Sequence, residues 1–168
     1  LRVGVFDGRA SFADRMTLDR MDVSASPVTL ERLEPWLERD IPLEGWLSGE
    51  GVFSGTLDDL TASGRMTLVP TGFGGDATTV DFSGNLRIGS GASVGARDFR
   101  ARFEPMNYTV LEALWPQIPW AGAGSALVEL DGDVDTTLLV HTELQHTTVS
   151  GATSEVEARG SLQRESET

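Results

Sequence analysis

The side chains best suited to chemistry in this 168-residue sequence are few and poorly arranged for catalysis. His141 and His146, its only histidines, are five apart and would face opposite sides of a strand. There is no Cys, and the Gly-x-Ser-x-Gly match at Gly91-Ala92-Ser93-Val94-Gly95 lies in a Gly-rich turn followed by another alternating segment and not by a helix, so a nucleophile with an adjacent base is not in evidence. Asp131, Asp133 and Asp135 have the spacing that opens a calcium loop, but the following Gly and the distal Glu are out of place. A solvated hairpin accounts for them better. Gly49-Glu50-Gly51 with Gly55 lacks the third Gly, the Lys and the long helix of a phosphate loop, so close strand packing or a bend explains these glycines. The expected protein is therefore not an enzyme, and it carries no catalytic residue, metal or cofactor.

What the sequence offers instead is a long apolar face. Leu43, Gly45, Leu47, Gly49, Gly51, Phe53, Gly55 and Leu57 alternate with Glu44, Ser48, Glu50, Ser54 and Thr56, with Trp46 and Val52 as exceptions on the polar side. Met66 and Leu68 continue the apolar set on the next strand. Thr78, Val80, Phe82, Gly84, Leu86 and Ile88 alternate against Asp81, Ser83, Asn85 and Arg87, the cleanest strand of the chain. Phe99 and Phe103, then Val128 and Leu130, follow. The predicted binding face is thus Leu47, Phe53, Met66, Leu68, Val80, Phe82, Leu86, Ile88, Phe99, Phe103, Val128 and Leu130, and the glycines on that side are expected to keep it open.

The elements that position this face come twice. Ile41 with Ile118, Gly45 with Gly122 and Gly55 with Gly132 each differ by 77, while Pro27 with Pro105 and Leu33 with Leu111 differ by 78. Two units are expected, at 1–85 and 86–168, each of several meandering strands and one short helix. Long strands are predicted at 43–57 and 120–134, and helices at about 29–39, capped by Thr29, and 108–115, with a capping box at Thr109 and Glu112. Turns are expected at Asp7-Gly8 and Asp58-Asp59. Pro27 should end the first strands and Pro105 should begin the second helix. Leu138, Val140 and Leu144 should form the next strand, Val156 to Leu162 a last weaker one, and 165–168 a frayed end. Trp36, Trp46, Trp115 and Trp120 gather at the helix-to-strand junctions, either as packing or as a rim at a lipid interface.

Composition narrows the partners. All 13 basic residues are Arg against 26 acidic ones, and the formal charge of -13 argues against nucleic acid. Hydrophobic residues make up 39%, enough for a thin core, and 19 glycines favour strands and turns. No apolar run reaches the roughly 20 residues that a membrane helix needs. The sequence opens at Leu1 inside an alternating pattern and is read as a piece of a longer protein, so that an anchor or targeting signal would lie outside it.

Ile41-Pro42-Leu43-Glu44-Gly45, Gly51-Val52-Phe53-Ser54-Gly55-Thr56-Leu57-Asp58-Asp59-Leu60 and Phe82-Ser83-Gly84-Asn85-Leu86 resemble the repeats of the AsmA/TamB-like family, and Ile118-Pro119, Gly122, Gly124 and Gly132 echo them. The resemblance covers roughly residues 10–145, and it is lost at Asp131 to Asp135. It implies a mainly β fold with short helices, a repeated antiparallel meander stacked into an elongated, curved, U-shaped sheet whose apolar groove carries acyl chains. It further implies a periplasmic segment of an envelope-spanning protein anchored in the inner membrane. Such a segment passes phospholipid between inner and outer membranes, or assists outer-membrane assembly. Its partners would be phospholipid acyl chains, neighbouring repeats of the same full-length chain and an outer-membrane β-barrel. The competing expectation is a structural or adhesive β-array of the cell surface whose apolar face is sealed inside a core.

Overall fold

The computed structural model describes residues 5–12, 16–32, 43–71, 76–88, 94–108, 110 and 121–164. They form nine strands: β1 (Val5–Phe12), β2 (Met16–Thr29), β3 (Gly45–Thr56), β4 (Asp59–Pro70), β5 (Thr78–Ile88), β6 (Val94–Asn107), β7 (Gly122–Asp133), β8 (Thr137–Thr148) and β9 (Thr153–Leu162). All pair antiparallel with their sequence neighbours in a single open, uncurled sheet, ordered β1 to β9. Every connection is a local one, as expected of a meander built from alternating segments.

The strands recur at the spacing of the sequence repeat. Subtracting first residues gives 94 minus 16, or 78, for β2 and β6; 122 minus 45, or 77, for β3 and β7; and 137 minus 59, or 78, for β4 and β8. The irregularities recur too. Pairing of β2 with β3 shifts at Leu18/Met21 and Ala25/Val28, and pairing of β6 with β7 shifts 78 residues later at Ala96/Phe99 and Phe103/Met106. The position between 85 and 86 lies inside β5.

Three expectations of the sequence are corrected by these irregularities. The turn at Asp7-Gly8 is a bulge within a continuous β1, with the register shifting between Asp7 and Arg9 and Gly8 at φ 153°. Pro27 does not end its strand, and Pro105 does not start a helix. Each sits at one of the paired register shifts, where the ladder is already interrupted and an imino nitrogen costs no hydrogen bond. Thr29, the expected helix cap, is the last residue of β2 and directly precedes the turn at Leu30–Arg32. Of the two expected helices, Leu30–Arg32 form a single 3-10 turn and Val110 is helical. Residues 33–39, 109 and 111–115, including Trp36, Trp115 and the capping box, lie outside the described residues, as does Trp120.

Because the strands are in register, side chains of the apolar face line up in rows across the sheet. One row runs Val23, Gly51, Gly64, Phe82, Ala101, Val128, Thr142 and Ala158. The next runs Ala25, Gly49, Met66, Val80, Phe103, Ala126, Leu144 and Val156. Large side chains of this face lie over neighbouring glycines. A Cβ on Gly64 would come within 2.8 Å of the Phe82 ring, on Gly51 within 3.1 Å of the Phe53 ring, and on Gly49 within 2.9 Å of the Met66 sulfur. The glycines therefore do not leave empty space, as expected from sequence; they give each ring or thioether a flat bed on the backbone beside it.

At one end of the sheet, Leu30, Leu43 and Val110 are buried and pack with Leu47 and Leu68, the main place where the described chain covers its own face. At Gly64 an added Cβ would also meet Glu50 O at 2.5 Å and Gly51 Cα at 2.7 Å, whereas at Gly160 it would meet nothing within 4 Å. Gly64→Ala should therefore cost about 1–3 kcal/mol in urea unfolding. Gly160→Ala should stay within about 0.5 kcal/mol of the parent chain.

Candidate functional site

The twelve residues of the expected binding face share one side of the sheet, by strand parity and register. Leu47 and Leu68 are paired, as are Val80 and Phe103, Phe99 and Leu130. Phe53 and Phe82 approach with ring centroids 6.3 Å apart. Eleven of the twelve are half-buried and Ile88 is 50% exposed, so none is fully withdrawn from water. Such burial is what one layer supplies: each side chain touches its row neighbours and the backbone beneath, and its outer surface is left over.

Several residues complete this face that the sequence-derived set omitted. Leu60 and Leu138 are buried on it, and Val140 and Leu144 extend it onto β8. Tyr108 has the largest fully buried side chain: its hydroxyl lies 2.8 Å from Ser125 O and 3.2 Å from Gln145 O, and its ring meets His146 edge-on at 4.9 Å. Burial pushes its phenol up from the usual value. The helix start expected at Pro105 hid Tyr108, since only the continuation of β6 to Asn107 brings it against Gly124, where a Cβ would sit 3.1 Å from the ring.

The opposite face is polar and cross-linked by charge. Arg65 meets Asp81 at 3.5 Å, Arg97 meets Asp59 at 3.0 Å and Arg102 meets Glu104 at 2.7 Å. A ladder runs across its last four strands: Arg100 on β6 pairs with Glu129 on β7, which receives His141 Nδ1 on β8 at 2.9 Å, while His141 Nε2 reaches Glu157 on β9 at 3.2 Å. Arg159 holds Glu157 at 2.6 Å, and Glu143 stands 3.7 Å from His141 Nε2. Both imidazole nitrogens thus point at carboxylates, an arrangement that only the imidazolium satisfies by donating twice. A depression of about 720 Å³ lies over this ladder and not over the apolar face; Ser83, Asp98, Arg100, Glu129, His141 and Arg159 help to line it. Within it, Arg100 and His141 are already paired with Glu129. The ladder was legible in principle: Glu129 and His141 stand equally far from the turn of the β7–β8 hairpin at Val134 to Thr136.

The two histidines do face opposite sides, His141 into the ladder and His146 against Tyr108. Asp131, Asp133 and Asp135 belong to the β7–β8 hairpin, where Asp133 Oδ1 accepts from the Asp135 amide at 2.9 Å and Asp133 also pairs with Arg87. Among the described residues, no cluster of three or more His, Asp and Glu is placed to hold a metal ion. Among them too, no helix is long and apolar enough to cross a membrane. Trp46 lies 46% exposed on the polar side. Comparison with protein-family models, curated proteins and solved structures finds no match to this chain.

The ladder gives stability a pH dependence whose sign is fixed. The hydrogen bond to Glu129 raises His141 above its ordinary 6.5, against partial desolvation and with help from Glu157, so its contribution is full below 6.5 and fades as pH rises through the raised value. Glu129, lowered first by His141 and then by Arg100, contributes above the ordinary 4.5 and fades as pH falls through its lowered value. Glu157, lowered first by Arg159, does the same. All three act together between 4.5 and 6.5. The melting-temperature difference between the parent chain and His141→Gln in low salt should be largest between pH 4.5 and 6.5 and shrink as pH rises through the raised value of His141.

Proposed function

We propose that the apolar face binds phospholipid acyl chains, and that the chain is a non-enzymatic lipid-carrying segment. The observation that carries this reading is the half-buried state of the aligned rows, which leaves a continuous apolar surface spanning several strands with its large side chains lying flat on glycine. Flat rows suit an acyl chain. Each covered stretch gains roughly 25 cal/mol per Å² of apolar area, and no single contact is strong enough to stop sliding. The opposite face, with its paired carboxylates and guanidinium groups, suits water.

The resemblance to AsmA/TamB-like repeats supports the rest of the proposal. On that reading the sheet curls about its cargo into a U, with the apolar rows inside. The segment stands in the periplasm as part of a longer protein anchored in the inner membrane. It passes phospholipid between the two membranes, or assists outer-membrane assembly, between adjacent repeats and an outer-membrane β-barrel partner. No nucleic acid, metal or cofactor takes part.

Native mass spectrometry of the purified chain, with a photo-crosslinker at position 82 or 87, tests this reading. Co-purifying phospholipid that crosslinks from position 82 and not from position 87 is the expected result. Val128→Asp should reduce lipid occupancy at least about tenfold, since a carboxylate then sits in the middle of the rows. A lipid-free chain with position 82 shielded would overturn the proposal in favour of a sealed structural array.

A further inference from the structure

The register of β9 shows what its outer edge is shaped to take. β9 aligns with β5 at a difference of 76: Val156 with Val80, Glu157 with Asp81, Gly160 with Gly84 and Leu162 with Leu86. Its inner edge pairs with β8 as β5 pairs with β4, Gly160 facing Val140 as Gly84 faces Ala62, and Leu162 facing Leu138 as Leu86 faces Leu60. The next backbone bond recurs as well, since Ile88 N–H donates to Leu57 O at 2.6 Å and Arg164 N–H donates to Val134 O at 2.6 Å.

On their other edges, β1 and β5 each receive a strand, and both do so with one and the same irregularity. Asp7 pairs with Asp22 and Arg9 with Asp19, so that Arg20 and Met21 stand against Gly8 alone. Ser83 pairs with Arg100 and Asn85 with Arg97, so that Asp98 and Phe99 stand against Gly84 alone. Arg20 and Asp98 take up the bulge with φ of 45° and 51°. Glycine is what admits it. A Cβ on Gly84 would lie 2.5 Å from Phe99 Cα and 2.6 Å from Asp98 O, and one on Gly8 would lie 2.7 Å from Arg20 O and from Met21 Cα. Gly160 is the third member of this set, and a Cβ there would meet nothing within 4 Å.

We infer that the outer edge of β9 is a docking site for one further antiparallel strand of the β2 kind, with its two-residue bulge seated on Gly160. A ten-residue edge strand with all its side chains exposed offers a row of unpaired backbone groups, and main-chain bonding supplies the affinity. Gly160 sets the register. The charges distinguish the two types of strand: one of the β6 kind would set the counterpart of Arg102 against Glu157 but that of Arg100 against the like charge of Arg159, whereas one of the β2 kind sets the counterpart of Ser24 against Glu157 and that of Asp22 against Arg159, with no like charges opposed. The occupant is therefore a strand like Met16–Thr29, supplied by a neighbouring four-strand unit of this kind. The inference needs no lipid, so its failure and that of the proposed function are separate results.

The test adds a synthetic peptide of the Met16–Thr29 sequence to the intact chain and follows binding by calorimetry and by amide chemical shifts. Saturable binding that perturbs β9 amides is expected. Gly160→Val should weaken it at least about tenfold without lowering the melting temperature of the chain, because the added side chain clashes only with a docked strand. A peptide lacking Arg20, and so unable to form the bulge, should lose affinity to a similar degree. Absence of binding, or equal binding to Gly160→Val, would overturn the inference. A chain that ignores the peptide but forms dimers abolished by Gly160→Val would overturn the assigned occupant in favour of a second copy.

Discussion

A single β layer must hold its large side chains down with its own backbone, and in this chain glycine makes that possible. Phe82 beside Gly64, Phe53 beside Gly51, Met66 beside Gly49 and Tyr108 beside Gly124 repeat one contact, a large group lying where a neighbour's Cβ would be. Register makes the contact work. Slipping any strand by one residue would send these groups to the polar face and break the ion pairs there. The pattern of glycines thus specifies pairing, flattens the apolar face and leaves its outer surface accessible. The proposed binding function depends on all three.

The two faces stabilise the sheet differently. The apolar rows gain by partial burial, limited because nothing comparable to a second sheet covers them among the described residues. Exposed ion pairs such as Arg65–Asp81 contribute little individually. The Arg100–Glu129–His141–Glu157–Arg159 ladder differs in joining four successive strands, including β9, whose side chains are all exposed. It fastens the least buried strand to the rest, most firmly in mildly acidic solution.

Much of this was legible in the sequence because strands of period two carry their own signal. β5 begins at Thr78 and ends at Ile88, where the alternation begins and ends, and the long strands fall within two residues of their expected bounds. What alternation cannot reveal is a bulge. Asp7-Gly8, Pro27 and Pro105 read locally as breaks, and only the partner strand shows that the chain runs on through an interrupted ladder. Tyr108 was lost through the same misreading. The charge ladder was missed for another reason, since Glu129, His141 and Glu157 become neighbours only once the hairpin registers are known. The overall curl was expected from a family resemblance, whereas the sheet itself is open.

The central claim is that one apolar layer stands accessible, and because the chain contains no cysteine, single thiols can report on it without background. The measurement is the rate of modification of Phe82→Cys against Ser83→Cys by a water-soluble maleimide, with and without phospholipid vesicles. The account predicts rates within about tenfold of each other in lipid-free solution, as for a half-buried site beside an exposed one, and selective slowing at position 82 when lipid is present. Protection of position 82 by more than about a hundredfold without lipid, unchanged by vesicles, would contradict it and mean that the face is sealed.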